Sequence, residues 1–320
     1  MNSPIDISII IPVYNCEKYL DACINSLLHQ KGVNHELIFI NDGSTDNCAS
    51  IIAGYMKGHT NIVLINKEND GASSARNRGL AVAKGRYVMF VDSDDTIVEN
   101  SLARILHEAE ESNADVMQLT HYICSENHET KVRRLHSVST CMDGVSYLKL
   151  MQRRRTLVSA THAHMLKTEY MLSLPFRFDE SLARCEDLEY FTKAILKAKR
   201  VRNYTVPYYN YNLFTTIGGN DMRRNRQLVF NCYYKIRQSF HNFVSTENFG
   251  DNIRRILDYL ICTHVYGYSP DVFRLLTPEQ RSYWIPFIKR NMFRNYGWMR
   301  PWLYLKYFKL TRLQHSCPTN

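Results

Sequence analysis

Three aspartates stand within four positions directly after an apolar run in residues 86–96, RYVMFVDSDDT. Asp92, Asp94 and Asp95 would repel one another and raise each other's pKa unless a cation or hydrogen-bond donors compensate them. Carboxylate oxygens are preferred ligands of hard divalent cations, so a metal site is the simplest chemistry for this group. An Asp-rich turn with a helix cap is the alternative, and the stretch alone does not decide between the two.

A second acidic pair, Glu186 and Asp187, stands at the start of a segment with helical periodicity, EDLEYFTKAILKA. A carboxylate held beside a substrate hydroxyl can act as a general base. Acidic residues in a first turn also interact favourably with the positive end of the helix dipole. Taken by itself, the pair would therefore be interpreted as part of the helix start.

Three other polar stretches are typical of strand ends and helix starts: IIIPVYN at 9–15, INDGSTD at 40–46 and NDGASSARN at 69–77. In the second stretch, DGS by itself is an ordinary turn with Ser44 as N-cap. In the third, Gly71 permits close backbone approach, and the helix start that follows suits a phosphate group. Arg76 would then supply charge or a planar face beside a nucleotide diphosphate.

A parallel sheet would bring these stretches together. The first 120 residues alternate β-rich runs with helical patterns, which predicts βαβ units. The predicted strands are Ile7–Pro12, Glu36–Asn41, Ile62–Asn66, Tyr87–Asp92 and Asp115–Tyr122. We expect a loop or an added hairpin at 123–142 and a helix at about Glu186–Lys199. Ligands of open α/β sheets bind beyond the carboxyl ends of the strands, where the polar stretches fall.

Charge is distributed unevenly along the 320 residues, which carry a net charge of +9. Residues 1–205 contain 24 Lys and Arg against 25 Asp and Glu, whereas 206–320 contain 16 Lys and Arg against 6 Asp and Glu.

The sequence also bears on the location of the protein. No uncharged apolar run reaches the ~18 residues that span a bilayer. Nine cysteines without a CxxC pair argue against a disulfide framework or a zinc site and favour a reducing compartment. We expect a cytoplasmic protein.

In order and spacing, these motifs resemble the inverting family-2 glycosyltransferases with a GT-A fold. The matching elements are PVYN, DGS, GASSARN, DSDD and the ED pair. The resemblance covers about residues 6–207 and implies an α/β nucleotide-diphospho-sugar transferase fold, with a Rossmann-like mixed, mainly parallel sheet flanked by helices. We accordingly predict a catalytic domain at 1–207 and a mainly helical C-terminal extension, basic and rich in aromatic residues, at 208–320.

The resemblance also implies roles for single residues. Asp187 would be the base that deprotonates an acceptor hydroxyl, with Glu186 as its support. Asp94 and Asp92 would hold Mn²⁺ or Mg²⁺, which would stabilise the departing nucleoside diphosphate. The residues expected to bind the nucleotide sugar are Pro12, Val13, Tyr14, Asn15, Asp42, Gly71, Arg76, Asp92, Ser93 and Asp95. The expected donor is a UDP-sugar, and the expected acceptor is a lipid-linked or oligosaccharide hydroxyl in bacterial capsule, O-antigen or lipooligosaccharide synthesis.

Several alternatives stay open at this point. His121, His162 and His164 are candidates for a third metal ligand, although single histidines are more often structural. DSDDT also fits the DxDxT signature of haloacid-dehalogenase-type phosphatases, but that motif usually ends the first strand of its domain and this one ends the fourth. A sugar-nucleotide-binding protein without activity is the non-enzymatic alternative. No predicted strand is followed by GxGxxG, which argues against a dinucleotide oxidoreductase.

The segment 291–313, NMFRNYGWMRPWLYLKYFKLTRL, interleaves aromatic with basic residues. Such a segment suits the surface of an anionic bilayer, and we expect peripheral contact at the inner face of the cell membrane. The alternative is a helix that packs on the domain or forms a homo-oligomer. The sequence has no recognisable nucleic-acid-binding motif, and no nucleic-acid partner is expected.

Overall fold

The computed structural model describes residues 4–125, 129–133, 135, 137–154, 156, 159–213, 226–267 and 276–296. The described residues divide into two compact units. The first lies within Met1–Leu182 and Glu186–Ile217, and the second within Ala183–Cys185 and Gly218–Asn320.

The first unit is built on one mixed sheet. Its strands are β1 (Ile7–Val13), β2 (His35–Asp42), β3 (Ile62–Lys67), β4 (Tyr87–Phe90), β5 (Thr96–Ile97), β6 (Val116–Cys124), β7 (Thr130–Val132), β8 (His164–Lys167) and β9 (Val201–Asn212). Their order across the sheet is β3-β2-β1-β4-β8-β6-β9-β5, and β7 pairs with β6. The strands β3, β2, β1 and β4 are parallel, as are β6 and β9, whereas β8 runs antiparallel to both of its neighbours.

Helices cover both faces of this sheet. They are α1 (Glu17–Leu28), α2 (Cys48–Met56), α3 (Gly71–Leu80), α4 (Leu102–Ser112), α5 (Gly144–Arg154), α6 (Thr168–Ser173) and α7 (Glu186–Lys197). Successive strand residues point to opposite faces, so Ile9 and Phe39 pack in the core with α1 and α4, and Ile10 and Ile38 pack in the core with α3 and α7. Burial on both faces explains why β1 and β2 are nearly continuous apolar runs.

All five predicted strands are present, with boundaries shifted by one or two residues. Strand β4 ends at Phe90 and not at Asp92, two residues early, because the chain turns there and Asp95 N–H donates to the Asp92 carbonyl (3.1 Å). A loop or an added hairpin is expected at 123–142, and the hairpin is observed, with β7 antiparallel to β6. The predicted late helix ends at Lys197, two residues early. Strand β9 continues through Asn212, so residues 208–212, which the sequence analysis assigns to the extension, belong to the sheet.

The described part of the second unit contains the helices Arg226–Thr246, Asp251–Gly267 and Pro278–Tyr296. Arg237, on the first of these helices, contacts the other two. Its guanidinium forms an ion pair with Asp258 of the second helix (2.8 Å) and donates to the Tyr283 hydroxyl of the third (2.9 Å). The predicted helical character of the C-terminal region is confirmed. Most of the basic, aromatic segment at 291–313, from residue 297 onward, lies outside the described residues. Within the described ranges, no helix is both long and apolar enough to cross a membrane.

Candidate active site

The polar stretches that follow β1 and β2 are joined by hydrogen bonds at the carboxyl edge of the sheet. Asn15 accepts a hydrogen bond from Thr45 N–H at 2.8 Å, and its own N–H donates to Ser44 Oγ at 3.2 Å. Asn15 has a φ of 47°, a left-handed conformation that asparagine adopts more readily than most residues. Pro12 and Val13 are the last residues of β1, and the Tyr14 side chain that follows them is exposed. This edge is where the sequence predicts nucleotide contacts.

Asp42, at the end of β2, anchors the start of α3. Its carboxylate accepts hydrogen bonds from Gly71 N–H (2.8 Å) and Asp70 N–H (3.1 Å), and it forms an ion pair with Lys67 (2.5 Å). Gly71 has a φ of 89°, which a residue with a side chain rarely adopts. Asp42 therefore has a structural role that the sequence did not reveal. The predicted contact between Asp42 and a nucleotide base stays a prediction.

Arg76 links the two acidic motifs. The side chain is buried on α3, where Nη1 donates to Glu186 Oε1 at 2.5 Å and Nη2 contacts Asp92 Oδ1 at 3.4 Å. Its guanidinium also lies over the ring of Phe178, 5.6 Å from the centroid. The ED pair is 110 positions away from Arg76 in the sequence, so only the fold brings these charges together.

Asp187 is the second residue of α7 and lies beside this ion pair. Burial, followed by the neighbouring Glu186 charge, raises the pKa of Asp187 to about 7, although Arg76 and a hydrogen bond from Leu188 N–H lower it. The Leu188 N–H lies 2.7 Å from Asp187 Oδ1. A carboxyl group with a pKa close to neutral pH can accept a proton more effectively than an ordinary aspartate can.

Asp92, Asp95 and His162 form a group that could hold a metal ion. One ligand atom from each residue lies within 4.8 Å of the other two. His162 comes from the short 3₁₀ turn Thr161–Ala163 that precedes β8, and its Nδ1 lies 3.9 Å from Asp92 Oδ2. This group differs from the predicted pair of Asp92 and Asp94, because it contains Asp95 and a histidine. In the part of the chain that the structure describes, Asp94 joins no such group, and its role as a ligand stays a prediction.

The chemistry of these three residues fits a divalent cation. His162 Nε2 is buried and has no hydrogen-bond partner among the described residues. Burial and the charges of Asp92 and Asp94 raise the pKa of Asp95 well above its usual value, as expected for carboxylates that lie close together. Burial would also raise the pKa of Asp92, but His162 and Arg76 together lower it. A bound cation would relieve the repulsion within the group.

Strand β9 supplies site residues that the sequence analysis missed. The Tyr209 hydroxyl donates to Asp95 Oδ2 (2.7 Å), and Asn212 N–H donates to Asp95 Oδ1 (2.7 Å). Tyr211 also faces the site, with its ring 5.4 Å from that of His162. The Val, Thr and Tyr residues of VRNYTVPYYNYN are typical of a strand, but Pro207 interrupts the segment and suggests a domain boundary there.

The remaining candidates lie close to the group without joining it. The His121 ring packs edge-on against His162, with 4.6 Å between centroids, and burial lowers the pKa of His121 to about 3. His164 stacks on Phe191, 4.1 Å between centroids, and burial also lowers its pKa to about 3. Ser93 is buried, and its hydroxyl lies 3.1 Å from Cys16 Sγ. Of the three histidines, only His162 belongs to the Asp92 and Asp95 group.

Comparison with known proteins agrees with this architecture. Residues 8–172 match the family described as Glycosyl transferase family 2. The uncharacterized glycosyltransferase EpsJ of Bacillus subtilis (strain 168) is 32% identical over 208 residues, which cover 64% of this chain and 60% of EpsJ. The uncharacterized glycosyltransferase YibD of Escherichia coli (strain K12) is 31% identical over 240 residues, which cover 73% of this chain and 69% of YibD.

A solved structure is similar over nearly the whole chain. Residues 1–349 of S. aureus TarS, solved in complex with UDP-GlcNAc, superpose with a TM-score of 0.69 and 20% identity, covering 97% of this chain and 89% of that one. The sheet and its flanking helices thus define a GT-A fold, as predicted. The chain belongs to glycosyl transferase family 2.

Proposed function

We propose that this protein is an inverting glycosyltransferase that moves one sugar from a UDP-sugar to a hydroxyl of a lipid-linked or oligosaccharide acceptor. The observation that carries the proposal is the arrangement at one sheet edge, where Arg76 joins the start of α7, with Asp187, to the Asp92, Asp95 and His162 group. Family membership and the UDP-GlcNAc complex of the structurally similar TarS support a nucleotide-sugar donor.

Asp187 is the proposed catalytic base. In a single displacement, the acceptor oxygen attacks the anomeric carbon from the face opposite the nucleotide and gives up its proton. The raised pKa of Asp187, about 7, leaves the group substantially ionised at neutral pH while making it a stronger base than an ordinary aspartate. Glu186 is held by Arg76 at 2.5 Å, and we assign to it the role of fixing the first turn of α7.

Asp92, Asp95 and His162 would hold a divalent cation, Mn²⁺ or Mg²⁺, with Asp94 as a further predicted ligand. A bound cation would neutralise the charge that develops on the departing UDP. The chain's own contribution is to keep Asp92 ionised, which His162 and the Arg76 charge favour against the cost of burial.

The proposed contacts of the nucleotide lie at the same sheet edge. They are Pro12, Val13, Tyr14, Asn15 and Gly71, with Ser93 as a further donor contact.

We also propose a cytoplasmic location at the inner face of the cell membrane and a role in bacterial capsule, O-antigen or lipooligosaccharide synthesis. The 16 basic against 6 acidic residues of 206–320 support contact with an anionic surface. Family membership supports the polysaccharide assignment and counts against the DxDxT phosphatase alternative.

A donor screen tests this proposal. The full-length protein is incubated with Mn²⁺, a lipid-linked or oligosaccharide acceptor, and UDP-glucose, UDP-galactose or their N-acetylated forms. Released UDP and glycosylated products are identified by mass spectrometry. We expect one donor to release UDP, and NMR of the product to show an anomeric configuration opposite to that of the donor. UDP binding without turnover of any donor would support the inactive binding protein instead. Hydrolysis of a phosphomonoester without donor turnover would support the phosphatase.

A further inference from the structure

Tyr209 is in contact with every member of the Asp92, Asp95 and His162 group. Its hydroxyl donates to Asp95 Oδ2 at 2.7 Å and accepts a hydrogen bond from Asp92 N–H at 3.1 Å. Its ring stacks on the His162 imidazole, with 4.2 Å between centroids and 9° between planes. The side chain is fully buried. Tyr209, on β9, thus contacts two residues of the DSDD turn after β4 and one residue of the 3₁₀ turn before β8.

The hydroxyl of Tyr209 uses both of its hydrogen-bonding capacities here. A phenol can donate one hydrogen bond and accept another at the same time. The accepted bond holds the backbone at Asp92, where β4 turns away from the sheet, and the donated bond reaches the carboxylate three residues further along. The hydroxyl therefore closes the DSDD turn at both ends.

The orientation of Asp95 is fixed from the same strand. Asn212 N–H donates to Oδ1 of Asp95 at 2.7 Å, while the Tyr209 hydroxyl holds Oδ2. Two donors on the two oxygens determine the plane of the carboxylate. Each carboxylate oxygen can accept a second partner, so both oxygens keep the capacity to contact a cation.

We propose that Tyr209 is a positioning residue that sets Asp92, Asp95 and His162 in the geometry required to bind a divalent cation. The inference rests on the metal site of the proposed function. Residues that orient metal ligands typically change metal affinity by 10–100-fold when they are substituted. Tyr209 acts through its hydroxyl on the two aspartates and through its ring on His162.

Tyr209→Phe separates these two actions, because it removes the hydroxyl and keeps the ring stack. We expect it to weaken Mn²⁺ binding about 10–100-fold. Binding is measured on the full-length protein by electron paramagnetic resonance of free Mn²⁺, with and without saturating UDP, so the readout does not depend on sugar transfer. Circular dichroism and thermal unfolding establish that each variant is folded at the temperature of the titration.

Tyr170→Phe is the matched control. The Tyr170 side chain is partly buried, and its hydroxyl donates to a backbone carbonyl, that of Ala194, which is not part of the group. Its removal deletes a tyrosine hydrogen bond outside the group, and we expect Mn²⁺ affinity to stay at the wild-type value. Equal losses of Mn²⁺ affinity in the two variants would overturn the proposal, since both losses would then reflect a general destabilisation of the fold.

A double-mutant cycle with Asp95→Asn tests whether Tyr209 acts through Asp95. If it does, the factor by which Tyr209→Phe lowers Mn²⁺ affinity is clearly smaller in the Asp95→Asn protein than in the wild type. A folded Tyr209→Phe protein with wild-type Mn²⁺ affinity would overturn the proposal. A Tyr209→Phe protein that does not fold would also overturn it, because the hydroxyl would then serve the fold and not the cation.

The failure of this inference is distinguishable from that of the proposed function. A wild-type protein that transfers sugar and binds no Mn²⁺ overturns the metal group and the role of Tyr209, and leaves glycosyl transfer intact. A wild-type protein that turns over no donor, with Mn²⁺ binding weakened only by Tyr209→Phe, supports the inference and contradicts the proposed function.

Discussion

At the scale of single residues, Asp187 and Arg76 set the pH at which the proposed reaction can run. Burial and the Glu186 charge raise the pKa of Asp187 to about 7, and the Arg76 charge opposes this rise. A base works in its deprotonated form, so the rate of sugar transfer should increase as the pH rises through about 7. Removing the Arg76 charge should move this increase to higher pH.

We therefore predict that Arg76→Gln shifts the midpoint of the pH–kcat profile upward relative to wild type. Removing one partner from a buried group of charges also costs about 3–5 kcal/mol of stability at neutral pH. Arg78→Gln is the control, because Arg78 lies exposed on the same helix and its loss should change stability by less than about 0.5 kcal/mol. Kinetics at several pH values and urea unfolding check both effects. An unchanged profile in a folded Arg76→Gln protein would show that Arg76 does not tune the base.

At the scale of elements, the start of α3 depends on the Asp42 anchor and on the backbone of Gly71. Gly71 has a φ of 89°, and a Cβ placed there would meet no heavy atom within 4 Å. If a residue with a side chain replaces Gly71, any loss of stability therefore comes from the backbone conformation alone. Gly54, inside α2, offers the same open space, and its φ is not in the positive range.

We predict opposite outcomes for the same substitution at these two glycines. Gly71→Ala should destabilise the protein by about 1–2 kcal/mol, because an alanine at this φ is strained. Gly54→Ala should stabilise it by about 0.5–1 kcal/mol, since alanine is the better helix former. Thermal unfolding measures both. Equal shifts of the same sign would mean that Gly71 does not require its positive φ in solution.

The elements also show which parts of the site the sequence could reveal. Strands β1, β2 and β4 were predictable because burial on both faces makes them nearly continuous apolar runs. Strand β8 has only four residues, and β9 contains Pro207 and an irregular register against β6 near Thr120, so neither has a clean periodic pattern. The motif carboxylates were visible in sequence, whereas His162 and Tyr209 reach the site only through these two regions. Nothing in local sequence distinguishes His162 from His121 or His164.

At the scale of the whole molecule, the neutral composition of 1–205 contrasts with the basic composition of 206–320. We predict that full-length protein cosediments with anionic vesicles and is released as salt rises, because attraction to an anionic surface is screened within about 10 Å at 0.1 M salt.

Charge substitutions locate this contact. Lys306→Gln with Lys309→Gln should weaken vesicle binding, since each basic residue near the surface contributes about 1 kcal/mol. Lys31→Gln with Lys57→Gln removes the same charge from exposed positions in the first unit and should have little effect. Binding that is independent of salt, or equally weakened by both pairs, would remove the C-terminal segment from the membrane contact.

The central claim is that Asp187 deprotonates the acceptor while the nucleotide site is built from other elements. Asp187→Asn keeps the size of the side chain and can still interact with the start of α7, but it cannot accept the proton. Asp143→Asn is the matched control, because Asp143 precedes α5 and accepts a hydrogen bond from Ser146 N–H (2.9 Å). It should leave transfer unchanged.

The most direct measurement compares sugar-transfer rate with UDP and Mn²⁺ affinity, by calorimetry, in the same Asp187→Asn preparation. We predict that the rate falls by about 10²–10⁴-fold, the usual loss when a general base is removed, while both affinities stay at the wild-type value. Near-wild-type transfer by the folded Asp187→Asn protein would contradict the assignment of the base. Loss of UDP affinity together with the rate would contradict it as well, and would place Asp187 in the donor site.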